Sequence, residues 1–164
     1  MIIRNWTILL FIISLISISS ALIAEYFFNL QPCELCLKQR HPYYLILICL
    51  ILIFLLKNFN KMWLYLVIQF ASVYGLFYSI WHVGVENKIL KGPAGCSAML
   101  TNSENASDLK AQILSKQVIS CDEVIWSFFG ISAASINTIV LLVIFILNAI
   151  YLFRYYGAKK EKNI

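Results

Sequence analysis

Four stretches of the chain carry no charged side chain: Asn5–Ala24, His41–Leu56, Met62–Val85 and Val124–Phe153, of 20, 16, 24 and 30 residues. A helix crosses the hydrocarbon core of a bilayer with about 20 apolar residues. The first, third and fourth runs meet that length outright. The second rises only about 24 Å at ~1.5 Å per residue, and spans if Arg40 and Lys57 snorkel and the bilayer thins locally. Tyr43 and Tyr44 at its start suit the membrane interface. Backbone groups in lipid must find partners within their own segment, which makes these runs helices. Composition agrees: the chain is 61% hydrophobic and 13% charged, where a soluble domain carries about a quarter charged residues.

These runs predict an all-α membrane protein, a single membrane domain over 1–164 built as a four-transmembrane-helix bundle. The spans fall at about 6–26, 41–56, 62–83 and 125–153, joined by segments 29–40, 57–61 and 84–123 and followed by a tail at 154–164. Proline is tolerated in a first helical turn, so Pro42 puts the start of the second helix near Gln39–Pro42. Ser107–Val118 has the pattern of a short amphipathic helix lying on the membrane surface, inside the 84–123 loop. Met1–Ala21 has a basic residue, an apolar stretch and a small-x-small end, as signal peptides do, but its apolar run exceeds the usual core of about 7–15 residues. A retained first span is expected.

Four spans put both termini on one side. Arg4, Lys57, Lys61, Arg154, Lys159, Lys160 and Lys162 crowd that side, whereas Lys38, Arg40, Lys88, Lys91, Lys110 and Lys116 are spread over much longer loops opposite. The positive-inside rule then makes both termini cytoplasmic and the two long loops external. The basic residues form no single polar face of the kind that binds nucleic acid.

The external loops hold the chemistry. Cys33 and Cys36 lie in the first, as Cys-x-x-Cys, and Cys96 and Cys121 lie in the second. Cys49 falls inside the second run, where a free cysteine packs as a small hydrophobe. Cys-x-x-Cys lets two sulfurs close a small reactive disulfide and lowers the pKa of one thiol. Cys36 stands at or before a helix N-terminus, whose partial positive charge favours a thiolate, and Arg40 follows four residues on. Zinc would take four ligands, yet Cys96 and Cys121 are 24 residues apart instead of a tight pair. Haem attachment needs histidine after the second cysteine, where Leu37 stands. A purely structural disulfide is the remaining alternative.

The second loop is long for a connection without purpose. Gly92, Pro93 and Gly95 turn the chain just before Cys96, and Asn105 opens an Asn-Ala-Ser glycosylation sequon of the kind that arises often by chance. In the spans, Gln69, Asn137 and Asn148 are expected to face the bundle interior. His82 ends the third run on the level of Arg40. Both side chains can donate hydrogen bonds to a carbonyl oxygen of a ring held at the membrane edge.

"PCELCLKQRHPYY", "GPAGC" and "CDEVIWSFFGIS" together resemble the DsbB family of bacterial disulfide bond formation proteins. The resemblance covers almost the whole chain, with Pro-Cys-x-x-Cys-x-x-x-Arg its most specific part. In that family's established system, DsbA, DsbB and quinone keep the periplasm oxidising. The likeness implies that Cys96 and Cys121 accept electrons from a DsbA-like periplasmic thiol oxidase, with Cys96 attacked first. Cys121 would pair transiently with Cys33, freeing Cys36 as a thiolate against a membrane quinone, ubiquinone or menaquinone, with Arg40 and His82 beside the ring. It also implies the bacterial inner membrane, with both active loops periplasmic. The chain departs from the family pattern at Ala134 and Ile136, where many members carry proline and tryptophan. Two other functions compete: a vitamin K epoxide reductase-like quinone reductase, and a membrane scaffold whose loops are stapled by disulfides.

Overall fold

The structure is a computed structural model, and it describes residues 5–56, 60–93, 121–122, 124 and 126–161. Cys96, the Asn105 sequon, the expected Ser107–Val118 helix, Gly95 ahead of Cys96 and the middle of the 57–61 turn lie outside the described residues. Four helices make up the bundle: α1 Trp6–Tyr26, α2 Glu34–Leu55, α3 Lys61–Glu86 and α4 Ala133–Glu161. All four are long and apolar enough to cross a membrane. Side chains that face away from the bundle agree with a lipid surround: Ile16, Phe54, Phe70, Phe77 and Phe153 are all exposed, as apolar surface in water rarely is on this scale.

α3 is the central element, packed on both α2 and α4, while α1 leans on α2 and scarcely touches α4. The core gathers Trp6, Leu10 and Ile18 from α1, Ile46, Cys49 and Leu50 from α2, Tyr65 and Ile68 from α3, and Leu141 and Ile144 from α4. Cys49 is buried there among aliphatic side chains, the packing role its surroundings in the sequence suggest. Polar side chains meet inside the bundle in two layers. In the first, Asn148 accepts from Trp6 Nε1 at 3.3 Å and donates to Gln69 Oε1 at 2.7 Å and the Tyr65 carbonyl at 3.1 Å. In the second, Asn137 joins α2 to α3, described below. Each amide is satisfied by its neighbours, as a polar group shielded from water must be.

Two boundaries differ from those the sequence suggests. α2 begins at Glu34, well ahead of Pro42, which lies inside the helix. Its ring packs on Gly75 of α3: a Cβ at Gly75 would stand 2.8 Å from Pro42 Cγ and 2.9 Å from Leu141 Cδ1. Three helices therefore meet at a position with no side chain. At the other end, residues 127–132 do not continue the fourth span. They form a hairpin of β1 (Ser127–Phe128) and β2 (Ile131–Ser132), paired antiparallel. Its two-residue turn, Phe129–Gly130, has φ of 50° and 80°, the left-handed pair that a tight type I′ hairpin needs. Ser132 Oγ then accepts from Ser135 N at 3.2 Å and starts α4. A serine cap thus sets the helix entry ahead of Ala134 and Ile136.

Filling the Gly75 contact tests this packing. Gly75→Val is expected to force α2, α3 and α4 apart and to cost roughly 1–3 kcal/mol, the usual range for overpacking. Thermal unfolding in detergent should show a lowered midpoint for Gly75→Val and a smaller drop for Gly75→Ala.

Candidate functional site

The site begins with how α2 starts. Cys33 is the N-cap, with extended backbone (φ −72°, ψ 169°), and its sulfur accepts the N–H of Cys36 at 3.3 Å. It takes the place that a Ser or Asp oxygen usually occupies at a helix start. Cys33 and Cys36 are free thiols with their sulfurs 2.9 Å apart. His82 of α3 brings Nε2 to 3.6 Å from the Cys33 sulfur. Once Cys33 loses its proton, the Cys36 S–H donates to it. That contact, with smaller help from His82 and the Cys36 N–H and against the penalty of burial, brings the Cys33 thiol down to about 5. Sequence reasoning assigned the stabilised thiolate to Cys36. In the structure the Cys36 N–H and His82 Nε2 both address the Cys33 sulfur instead.

The donor atoms of Cys33, Cys36 and His82 lie within 4.8 Å of one another. Two thiolates bound at ~2.3 Å to one tetrahedral zinc would be about 3.8 Å apart. The 2.9 Å between these sulfurs is well short of that separation.

A line of buried amides and hydroxyls backs His82. Gln39 Nε2 donates to His82 Nδ1 at 2.9 Å and reaches the Tyr78 carbonyl at 3.4 Å. Asn137 Nδ2 donates to Gln39 Oε1 at 3.1 Å and to Ser79 Oγ at 2.6 Å, and Tyr43 OH donates to Asn137 Oδ1 at 2.6 Å. On the other side of the imidazole, Glu86 Oε1 lies 3.9 Å from Nε2, and Glu86 Oε2 accepts from Ser132 Oγ at 2.5 Å.

Cys36, Arg40, Gln39, His82 and Glu86 share the wall of a cavity of about 590 Å³. The rest of its lining is mainly apolar and comes from α1, the 28–32 segment, Trp126 and the start of α4. It lies where α1 and α4 diverge. Arg40 projects into the wall but does not point at a sulfur. Its guanidinium is paired with Glu25 of α1 through Nη1, and Nη2 donates to the Ala21 carbonyl at 3.3 Å. Arg40 therefore pins α1 to α2 at the rim of the cavity.

The structure thus brings Cys33, Cys36 and His82 into contact and puts Arg40 a short way off, on the same cavity. Cys121 is 1% exposed, packs in one cluster with Cys33, Leu35 and Val85, and is engaged in a disulfide. Cys96 lies outside the described residues. Glu25, Gln39, Glu86 and Asn137 received no role at the site from sequence reasoning. Glu86 had a legible signal, standing four residues after His82 on one helix face. Glu25 is simply the acid that closes the first apolar run.

A family model described as "Disulfide bond formation protein DsbB" matches residues 3–151. A curated relative, "Uncharacterized protein RP370" of Rickettsia prowazekii (strain Madrid E), is 29% identical over 148 residues, which are 89% of this chain and 86% of the relative. No solved structure matches.

The lowered Cys33 pKa has a sign that can be checked. Between about pH 5 and 9 the unfolded chain binds a proton at Cys33 that the folded, reduced protein does not. Stability from this group is fully present above pH 9 and is lost as pH falls through 5. Site-resolved alkylation of the reduced protein should keep its rate at Cys33 down to about pH 5. In Cys36→Ala, which removes the leading donor, the rate should fall away at the pH of an ordinary thiol.

Proposed function

The chain belongs to the DsbB family of disulfide bond formation proteins, and from that membership we propose that it is a protein thiol:quinone oxidoreductase of the bacterial inner membrane. It oxidises a DsbA-like periplasmic thiol oxidase by disulfide exchange and passes the electrons to ubiquinone or menaquinone. The observation that carries this is a free dithiol, Cys33 and Cys36, of which Cys36 lines an apolar cavity between helices of a multi-pass membrane protein. A volume of about 590 Å³ lies within the range of small-molecule sites, and a few polar groups in an apolar lining is their usual make-up. Those features suit a quinone ring with an isoprenoid tail leaving toward lipid. Thiols that are free and mutually hydrogen-bonded staple nothing, which speaks for redox work over a purely structural disulfide.

Cys96 and Cys121 form the outer pair in this scheme. Support comes from Cys121 being in a disulfide while Cys33, Cys36 and Cys49 are free. Exchange proceeds by thiolate attack along an S–S bond. A thiolate of the partner attacks the Cys96 sulfur, and Cys121 leaves as a thiolate. The partner's second thiolate then displaces Cys96, so the partner gains a disulfide and this chain gains two electrons. The Cys121 thiolate next attacks Cys33 in an oxidised Cys33–Cys36 pair, and Cys36 leaves. Cys96 resolves the Cys33–Cys121 bond and restores the outer disulfide. Packing of Cys121 against Cys33 suits that transfer. The quinone supplies the final sink, taking two electrons and two protons and departing as quinol. Arg40, on the cavity wall beside His82, orients the ring by donating to one of its oxygens, and the apolar lining excludes water.

In this scheme a thiol oxidase partner that lacks its second cysteine attacks the outer disulfide but cannot displace Cys96, and stays bound to it. A non-reducing gel should then show a reductant-sensitive adduct with a periplasmic thiol oxidase, lost in the Cys96→Ala, Cys121→Ala double variant. Arg40→Gln should raise the apparent KM for quinone about tenfold, as befits one charge-assisted hydrogen bond, and leave the KM for the reduced partner nearly unchanged.

A further inference from the structure

The second polar layer of the bundle orients every member from one fixed point. The Tyr78 carbonyl can only accept, so the end of the Gln39 side chain 3.4 Å from it is the NH₂. The same nitrogen lies 2.9 Å from His82 Nδ1, so Nδ1 must offer a lone pair. The far end of the amide agrees: Gln39 Oε1 accepts from Asn137 Nδ2, whose own Oδ1 accepts from Tyr43. Turning Gln39 over would set an oxygen against the Tyr78 carbonyl and an NH₂ against the NH₂ of Asn137. Gln39 and His82 are 7% and 4% exposed, which leaves little room for water to repair such a mismatch. A neutral imidazole with its lone pair on Nδ1 carries its hydrogen on Nε2, the atom 3.6 Å from the Cys33 sulfur.

We propose that Gln39 is a positioning residue: its side-chain amide holds His82 in the Nε2–H tautomer, so that the imidazole donates to the Cys33 sulfur. The tautomer follows from the geometry alone; its value to turnover rests on the thiol:quinone function proposed above. Reducing the inner pair converts one disulfide, two electrons and one proton into a Cys33 thiolate and a Cys36 thiol. A donor aimed at Cys33 stabilises that product and makes the pair a better electron acceptor. The opposite tautomer would aim a lone pair at the same sulfur. Glu86, on α3 with His82 and 3.9 Å from Nε2, also favours a hydrogen there. Arg40 of α2 does not compete, being held by Glu25.

Nitrogen-15 NMR of the full chain, reduced, in detergent and labelled at histidine, reads the tautomer directly. The chain has two histidines, and His41→Gln removes the exposed one from the spectrum. Wild type should show a pyridine-type Nδ1 and a pyrrole-type Nε2. Gln39→Glu, nearly the same shape, presents an acceptor to Nδ1 and should bring a proton onto it. Gln39→Leu should give a mixture of tautomers and lower the equilibrium constant for reducing Cys33–Cys36 about tenfold, which is ~30 mV for a two-electron couple. A pyrrole-type Nδ1 in wild type, or a Gln39→Glu protein whose Nδ1 stays unprotonated, would overturn the proposal. Neither partner nor quinone enters this measurement. Failure to oxidise a thiol partner would sink the proposed function and leave the tautomer standing, and the reverse outcome is equally separable.

Discussion

A sulfur does the work of a helix cap, and much of the site follows from that contact. Cys33 accepts the Cys36 N–H, so α2 can begin at Glu34. With the helix started there, Cys36, Gln39, Arg40 and Tyr43 recur every three or four residues and face the interior together. A start near Pro42 would leave Cys36 and Gln39 in a loop with no fixed direction. The same bond adds in a small way to lowering the pKa of the Cys33 thiol, whose leading donor is the Cys36 S–H. Structure and reactivity meet at one atom.

Lipid makes the second constraint. Amides and hydroxyls that water would satisfy in a soluble protein must here satisfy one another. Asn148, Gln69, Trp6 and Tyr65 do so near one end of the bundle, and Tyr43, Asn137, Gln39, Ser79 and His82 do so near the other. The first group ties helices together. The second ends on a sulfur, which turns a packing requirement into control over an imidazole. Close approach of the helices makes this possible, and it depends on Gly75 leaving space for Pro42 and Leu141.

Helix number, the buried role of Cys49 and the inward aim of Gln69, Asn137 and Asn148 were all legible in the sequence, because charge exclusion over some 20 residues and the scarcity of polar groups in lipid are local signals. Cys33 and Cys36 stood out by spacing. The start of α2 was hidden because Pro42 signals a first turn, whereas the Cys33 cap starts the helix eight residues earlier, at Glu34. The hairpin at 127–132 was hidden inside an apolar run whose strand and helix tendencies look alike until Gly130 and Ser132 are seen in three dimensions. Arg40 misled for a different reason: proximity in sequence suggested Cys36, while the acid that claims it, Glu25, comes from another helix. Which sulfur His82 faces was likewise a matter of tertiary contact.

The loose fit of α1 to α4 has a mechanical side. The two are tied by the Trp6–Asn148 hydrogen bond, and toward the Arg40 end the cavity stands between them. That is the outline of a wedge, narrow at one leaflet and wide at the other. A wedge amplifies: a slight tilt about the narrow end opens the broad end several times further. The Glu25–Arg40 pair ties α1 to α2 beside the broad end, so α1 is held there from one side only.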